Sequence, residues 1–381
     1  MKWFKTGLFL ATVQLSATLV TGYKVLDASE FILRVHPDYY TDLIVKLDDA
    51  LPNVSIDEVI ADTNHDLKPY SSPPNFVQAF TWDRRRGYND QRTEDWIPQG
   101  ITTTSDAYNT GYHNNYDIIL ASWYNDDDDE DDNEGVRISF IDVQANRYRN
   151  VLLVIPGTTS RGRVTYEPVK IRPGGIMWFG DKLYVVDTRR GIRIFDLNHI
   201  YRVSIGDDIG YVGRGRYEAF NYKYVIPQWG YYSADSDEAR SFRYSFISLD
   251  RTTTPESVLI GQHDSRGTNN RIVRFDMDAT TNLLKLSGRS TSIATEYYQI
   301  GLKCMQGAAS VNGRYYFSCN RGPDRRGDLY TWVLGQDPTL HRGVLTAGCR
   351  DLAYRTQTDE LWNLGEYPNK RPVYSIYASS Y

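Results

Sequence analysis

The chain has 381 residues, 24% of them charged, with a formal net charge of -5. That length suits one large all-β domain and buries enough surface for a stable core without a metal or a disulfide scaffold. Eight of the negative charges fall in Asp126 to Asp132 and Glu134, and Lys and Arg are scattered over the rest, which argues against a nucleic-acid footprint.

Residues 1–22 read as a secretory signal, with Lys2 and Lys5 before the apolar run Gly7 to Val20 and a small-residue end at Val20-Thr21-Gly22. No other long apolar span follows, so a secreted, extracellular, non-membrane protein is expected, and a monomer. Asn53-Val54-Ser55 is a glycosylation acceptor pattern in that setting. Residues 23–74 mix a short apolar run, Phe31 to Val35, with a helix-like Tyr39 to Leu51 and end in Ser71-Ser72-Pro73-Pro74, an extension packed on the main domain.

Residues 75–381 are strands and turns almost throughout. Val169 to Leu197 spells three short strands, Ile176 to Phe179, Leu183 to Val186 and Ile192 to Leu197, with turns at Gly180 to Lys182 and Thr188 to Gly191. Gly175 precedes the first strand and Tyr184 stands nine positions on; Gly307 and Tyr316 repeat that offset, and looser copies start at Gly100, near Phe242 and at Gly348. Recurring antiparallel meanders predict a β-propeller, and about 310 residues at ~40 to 45 per four-stranded blade predict seven blades, with six and eight as alternatives.

In such a blade the connection entering the innermost strand shares a rim with the loop between strands two and three. Gln99, Arg172, Gln306 and Arg350 are thereby predicted around the axis, with Trp123, Tyr124, Arg189, His263, Asn320, Arg321 and Glu366 ringing the same mouth. Of the six histidines only His263 is expected there, and a neutral imidazole is a ready base or acid. Arg172 and Arg350 are either carbonyl and carboxylate partners within the fold or a clamp for a uronate carboxylate. Trp123 and Tyr124 are either packing or a sugar platform. Gln99, Trp123, Arg189, Gln306, Asn320 and Arg350 make up the expected substrate-binding set.

Phosphate-cradling and G-x-S-x-G motifs are absent, and the acidic run lacks the spacing of a calcium loop, so it reads as a solvated insertion. Cys304, Cys319 and Cys349 allow one disulfide in any of three pairings, and no Cys/His spacing suggests zinc.

The segments IPQGITTTSDA, ILASWY, RPGGIMWFGDKLYVVDTRRGIRIFD and QGAAS resemble secreted β-propeller proteins related to the fungal L-rhamnose-α-1,4-D-glucuronate lyases, over roughly Trp96 to the C-terminus. Many relatives carry His-Ala-Gly-Gly where this chain has Arg172-Pro173-Gly174-Gly175. The resemblance implies β-elimination on a uronate-containing glycan without a cofactor: Arg172, helped by Arg350, on the carboxylate, His263 as base and Tyr124 as acid. A non-catalytic propeller that binds glycans or a partner protein is the alternative.

Overall fold

The computed structural model describes residues 22–71, 73–86, 88–126, 133–264 and 270–381. The signal segment, Gly22 apart, and residues 127–132 of the acidic run lie outside the described residues.

Five four-stranded antiparallel units follow one another among the described residues, the first two joined by a parallel pairing of their outermost strands. The first blade is Trp96–Thr103, Ile118–Asn125, Val136–Asp142 and Arg147–Thr158. The second is Ile176–Phe179, Lys182–Asp187, Gly191–Asp196 and Tyr224–Ala234. Tyr244–Asp250, Ser257–Gln262, Asn270–Asp278 and Glu296–Ile300 make the third, and Met305–Val311, Arg314–Cys319, Asp328–Val333 and Thr339–His341 the fourth. The fifth is composite: Cys349–Arg355, Glu360–Gly365 and Val373–Tyr377 take Ala79–Thr81, from the start of the chain, as their outermost strand.

Each blade buries both faces against its neighbours, which is why its strands read as nearly continuous apolar runs. Ile138, Phe140, Trp178 and Val185 fill the gap between blades one and two, and Met177, Tyr184, Ile247 and Ile260 that between two and three. Phe246 and Phe317 join three to four, Ala309 and Leu352 four to five, and Trp362 and Trp123 five to one. The ring is therefore closed, and the fold is a β-propeller. Near the axis the blades touch through backbone: a Cβ on Gly175 would meet Ile247 N at 2.5 Å, and one on Gly307 would meet Asp351 Cα at 2.5 Å.

Among the described residues the strands group into five such units, against the expected seven. Dividing the length by a standard blade counted insertions as blades, since Ile200–Arg202, Ile209–Gly213 and Arg216–Ala219 all intervene between the third and fourth strands of blade two. The outermost strand of blade one alone runs for 12 residues.

The extension forms a belt around the outside of the ring. Tyr23–Val25 adds to the edge of blade three, Ile32–His36 pairs with blade two, and the helix Thr41–Ala50 buries Leu47 beside Leu152 and Val154 of blade one. A second helix, Ile56–Ala61, starts at a reciprocal cap in which Ser55 Oγ accepts from Glu58 N at 3.2 Å and Glu58 Oε2 from Ser55 N at 2.9 Å. His65–Asp66 then pairs with blade one and Lys68–Pro69 with Ala79–Thr81 of blade five. Cys304 and Cys319 form a disulfide, leaving Cys349 as a buried thiol.

Candidate functional site

The innermost strands of four blades carry a register break close to the same rim: between Pro98 and Ile101, Tyr244 and Phe246, Met305 and Gly307, and Cys349 and Leu352. A bulge turns a side chain that would otherwise face a neighbouring blade. The residues released from pairing are Gln99 and Gly100, Ser245, Gln306, and Arg350 with Asp351, so one structural device presents Gln99, Ser245, Gln306 and Arg350 at the mouth of the channel.

These side chains form one polar network across the ring. His263 Nδ1 lies 2.9 Å from the carbonyl oxygen of Met305 and must donate to it, while Nε2 lies 3.2 Å from the amide nitrogen of Gln306 and accepts from it. Burial, and then the positive charge of Arg350, hold the imidazole below its ordinary pKa, so it stays neutral. Arg350 Nη1 donates to Gln306 Oε1 and Nη2 to Glu366 Oε2. Glu366 also accepts from Gln99 at 3.4 Å and from Asn320 at 3.1 Å. His263 N donates to Ser245 Oγ at 3.0 Å, which ties the histidine loop to the innermost strand of its own blade.

Tyr124 and Arg172 stand on the same rim. The Arg172 guanidinium lies over the Tyr124 ring at 5.1 Å and pairs with Asp126 at 2.9 Å. Burial pushes the Tyr124 phenol up to about 12, and Arg172, Asp126, Arg350 and Glu366 all act on its charge. It is therefore a protonated group at neutral pH.

The other end of the channel is covered. The helical turn Thr104–Ala107, buried throughout, packs against the innermost strands of blades one, two and five, and Arg251 of blade three donates to the backbone oxygens of Ser105 and Asp106. Asp106 is pushed up to about 6 by burial although Thr102 Oγ1 donates to it at 2.6 Å. Inside the channel Asp351 Oδ2 accepts from Ile101 N at 3.3 Å and Ile176 N at 3.2 Å, and burial raises this carboxyl well above the usual range. Among the described residues no group of three or more His, Cys, Asp or Glu is placed to hold a metal ion.

The structure thus brings Gln99, His263, Gln306, Asn320 and Arg350 together, with Tyr124 and Arg172 beside them. Trp123 is not on the rim. It is fully buried, donates from its indole to Ser139 Oγ at 2.9 Å, and meets Trp82 edge-on at 4.7 Å. Consecutive strand residues face opposite ways, so Tyr124 joins the packing toward blade two while Trp123 fills the blade-five interface. Arg189 lies exposed in the turn between the second and third strands of blade two, and no hydrogen bond or ion pair among the described residues joins it to the network. Sequence reasoning missed Ser245, because blade three lacks the glycine that follows Gln99 and Gln306 in blades one and four; its signal is the register break alone.

No family model matches the chain, and no curated protein does. Among solved structures it is similar to the Dos1 propeller, at 10% identity and a TM-score of 0.29 over 82% of this chain and 75% of that one. A GH43_1 enzyme from Xanthomonas citri matches at 9% identity and 0.35 over 88% and 92%. The Cps50 (Swd1) β-propeller domain of Myceliophteria thermophila matches at 10% identity and 0.35 over 76% of this chain and 99% of that one.

Proposed function

We propose that this is a secreted protein acting on uronate-bearing glycans at the channel mouth, by β-elimination. The observation that carries the reading is the hydrogen-bonded row His263, Gln306, Arg350 and Glu366, presented by the bulges of the innermost strands. A guanidinium has five N–H donors, and only two of those of Arg350 are used within the row. The remainder take the substrate carboxylate and stabilise the negative charge that builds on it as the proton on C5 leaves. Neutral His263 gives up its contact with the Gln306 amide and removes that proton at Nε2. The C4–O bond breaks, a C4–C5 double bond forms, and Tyr124 supplies the proton to the departing oxygen. Histidinium returns its proton to the tyrosinate through solvent.

A second reading has its own support. Arg350 is already ion-paired with buried Glu366 and exposed Arg172 with Asp126 at the surface, an arrangement that serves a mouth that holds a glycan without cleaving it.

The experiment is to incubate the purified protein with rhamnose-capped arabinogalactan and follow both free rhamnose and the ultraviolet absorbance of unsaturated uronate. Elimination yields both, and His263→Gln lowers the rate by roughly 10²- to 10⁴-fold. Rhamnose without new absorbance means hydrolysis, and binding with neither signal means the non-catalytic reading.

A further inference from the structure

The connection Trp82 to Asp95 leads from the outermost strand of blade five into the innermost strand of blade one, so it lies on the rim of the mouth. Its sequence, WDRRRGYNDQRTED, is rich in arginine. It shapes an open cavity of about 620 Å³ whose wall holds Arg84, Arg85, Arg86, Arg92 and Arg137 against the single carboxylate of Asp90.

Among the described residues, the charges lining this cradle do not cancel. Arg137, buried, is held by Asp90 at 2.6 Å, and Arg85 is held by Asp83. Arg84, Arg86 and Arg92 are exposed and have no acidic partner among the described residues. Besides Asp83 and Asp90, the loop carries Glu94 and Asp95, which follow the cradle and do not line it, and the charge of Glu134 reaches Arg137. Trp96 beneath the Arg137 guanidinium, at 4.2 Å, supplies an aromatic floor.

The cradle is joined to the mouth. Asn369 N donates to Gln91 O at 2.9 Å, and buried Arg371 donates to the backbone oxygens of Asp90 at 3.1 Å and Trp96 at 2.9 Å. Asn369 and Arg371 belong to the connection that opens with Glu366, the carboxylate gripped by Arg350. One short connection therefore carries a side chain of the mouth and braces the backbone of the cradle loop.

We infer that this arginine cradle is a second subsite, taking a further acidic unit of the same glycan that enters the channel mouth. Guanidinium groups match carboxylate geometry and keep their charge at any working pH, and three of these have no acidic partner among the described residues. The inference rests on the acidic-glycan reading of the mouth and adds that the ligand is polyanionic, with acidic units on both sides of the rim.

The test compares galacturonate monomer, polygalacturonate and neutral xylan by calorimetry and affinity electrophoresis, on wild type, on the triple variant Arg84→Ser, Arg86→Ser, Arg92→Ser, and on Arg350→Met. All three arginines are exposed, so the triple variant keeps its core. Polygalacturonate binding should weaken at least about fivefold in the triple variant, with a shallower dependence on salt, while monomer binding is unchanged. Arg350→Met should lose the monomer and keep a salt-sensitive hold on the polymer. Equal polymer binding by wild type and triple variant overturns the cradle. Equally tight capture of single-stranded DNA, lost in the same variant, overturns its assignment to a glycan. Monomer binding that is absent from wild type, with polymer binding still lost in the triple variant, overturns the reading of the mouth and leaves the cradle standing.

Discussion

Acidification should loosen the contact between belt and ring at His65. This histidine is 9% exposed, its ring stacked on Tyr88 with centroids 3.6 Å apart, and its Nδ1 lies 3.6 Å from Asp83 Oδ2, too far for a hydrogen bond. Burial pushes its pKa down from 6.5 to about 4, against the pull of Asp90 and Asp83 and with the push of Arg137 and Arg85. Between those two values the unfolded chain binds a proton that the native ring refuses, so stability falls as pH falls. At ~1.36 kcal/mol per unit, His65 contributes about 3 kcal/mol that is fully present above its unfolded pKa and gone near its folded one. By about pH 5 roughly 2 kcal/mol of it is lost. Urea unfolding of wild type and His65→Phe at neutral pH and at about pH 5 measures this directly. Phenylalanine keeps the stack on Tyr88 and cannot titrate, while every other acid-sensitive group is common to both proteins. The wild type should lose about 2 kcal/mol more than the variant on acidification. Equal losses would refute the argument, because burial would then not be holding the imidazole neutral.

Two further predictions concern the ring. Gly175→Ala places a methyl 2.5 Å from Ile247 N and 2.6 Å from Phe246 Cα, so blades two and three must part, and urea unfolding should show a loss of ~1–3 kcal/mol. Gly157→Ala, with nothing within 4 Å of its added carbon, should stay near wild type under the same assay. The Cys349 thiol, buried and pushed up to about 12, should resist a thiol reagent in the native protein and react once after unfolding; prompt native labelling would contradict its burial.

Much of the mouth was legible because the glycines that let blades touch also mark where each innermost strand begins. Gly100 and Gly307 stand one residue after Gln99 and Gln306, so a repeat aligned on glycine places these two side chains at one rim, and Gly348, two before Arg350, brings the arginine within a few residues of it. Ser245 was hidden since Ser-Phe-Arg-Tyr-Ser-Phe has no glycine to align. The burial of Trp123 was hidden for another reason. A strand end reads the same whether it projects past the sheet or is roofed by a neighbour, and here Trp82, from the start of the chain, roofs it. Blade number depends on insertions whose strands have the same composition as blade strands, so length could not fix it. The cradle was overlooked because its arginines lie just before the first recognisable repeat, in a stretch whose place on the rim depends on Ala79–Thr81 having joined blade five.

The belt imposes an order on synthesis. Tyr23 pairs with Ile300, and Phe31, fully buried, packs on Phe242, Phe275 and Tyr297. The ribosome makes the apolar belt first and its docking surfaces nearly last. At ~5–20 residues per second the belt waits on the order of 15 to 55 s for Ile300 to appear. Ala79–Thr81 waits longer still, for Val373–Tyr377 near the end of the chain. Throughout that interval Phe31 and Leu33 have no permanent cover, so a nascent chain halted before blade three carries an adhesive leading segment. Demand for a chaperone should therefore peak midway through translation, when the belt is out and most of the ring it encircles has yet to be made.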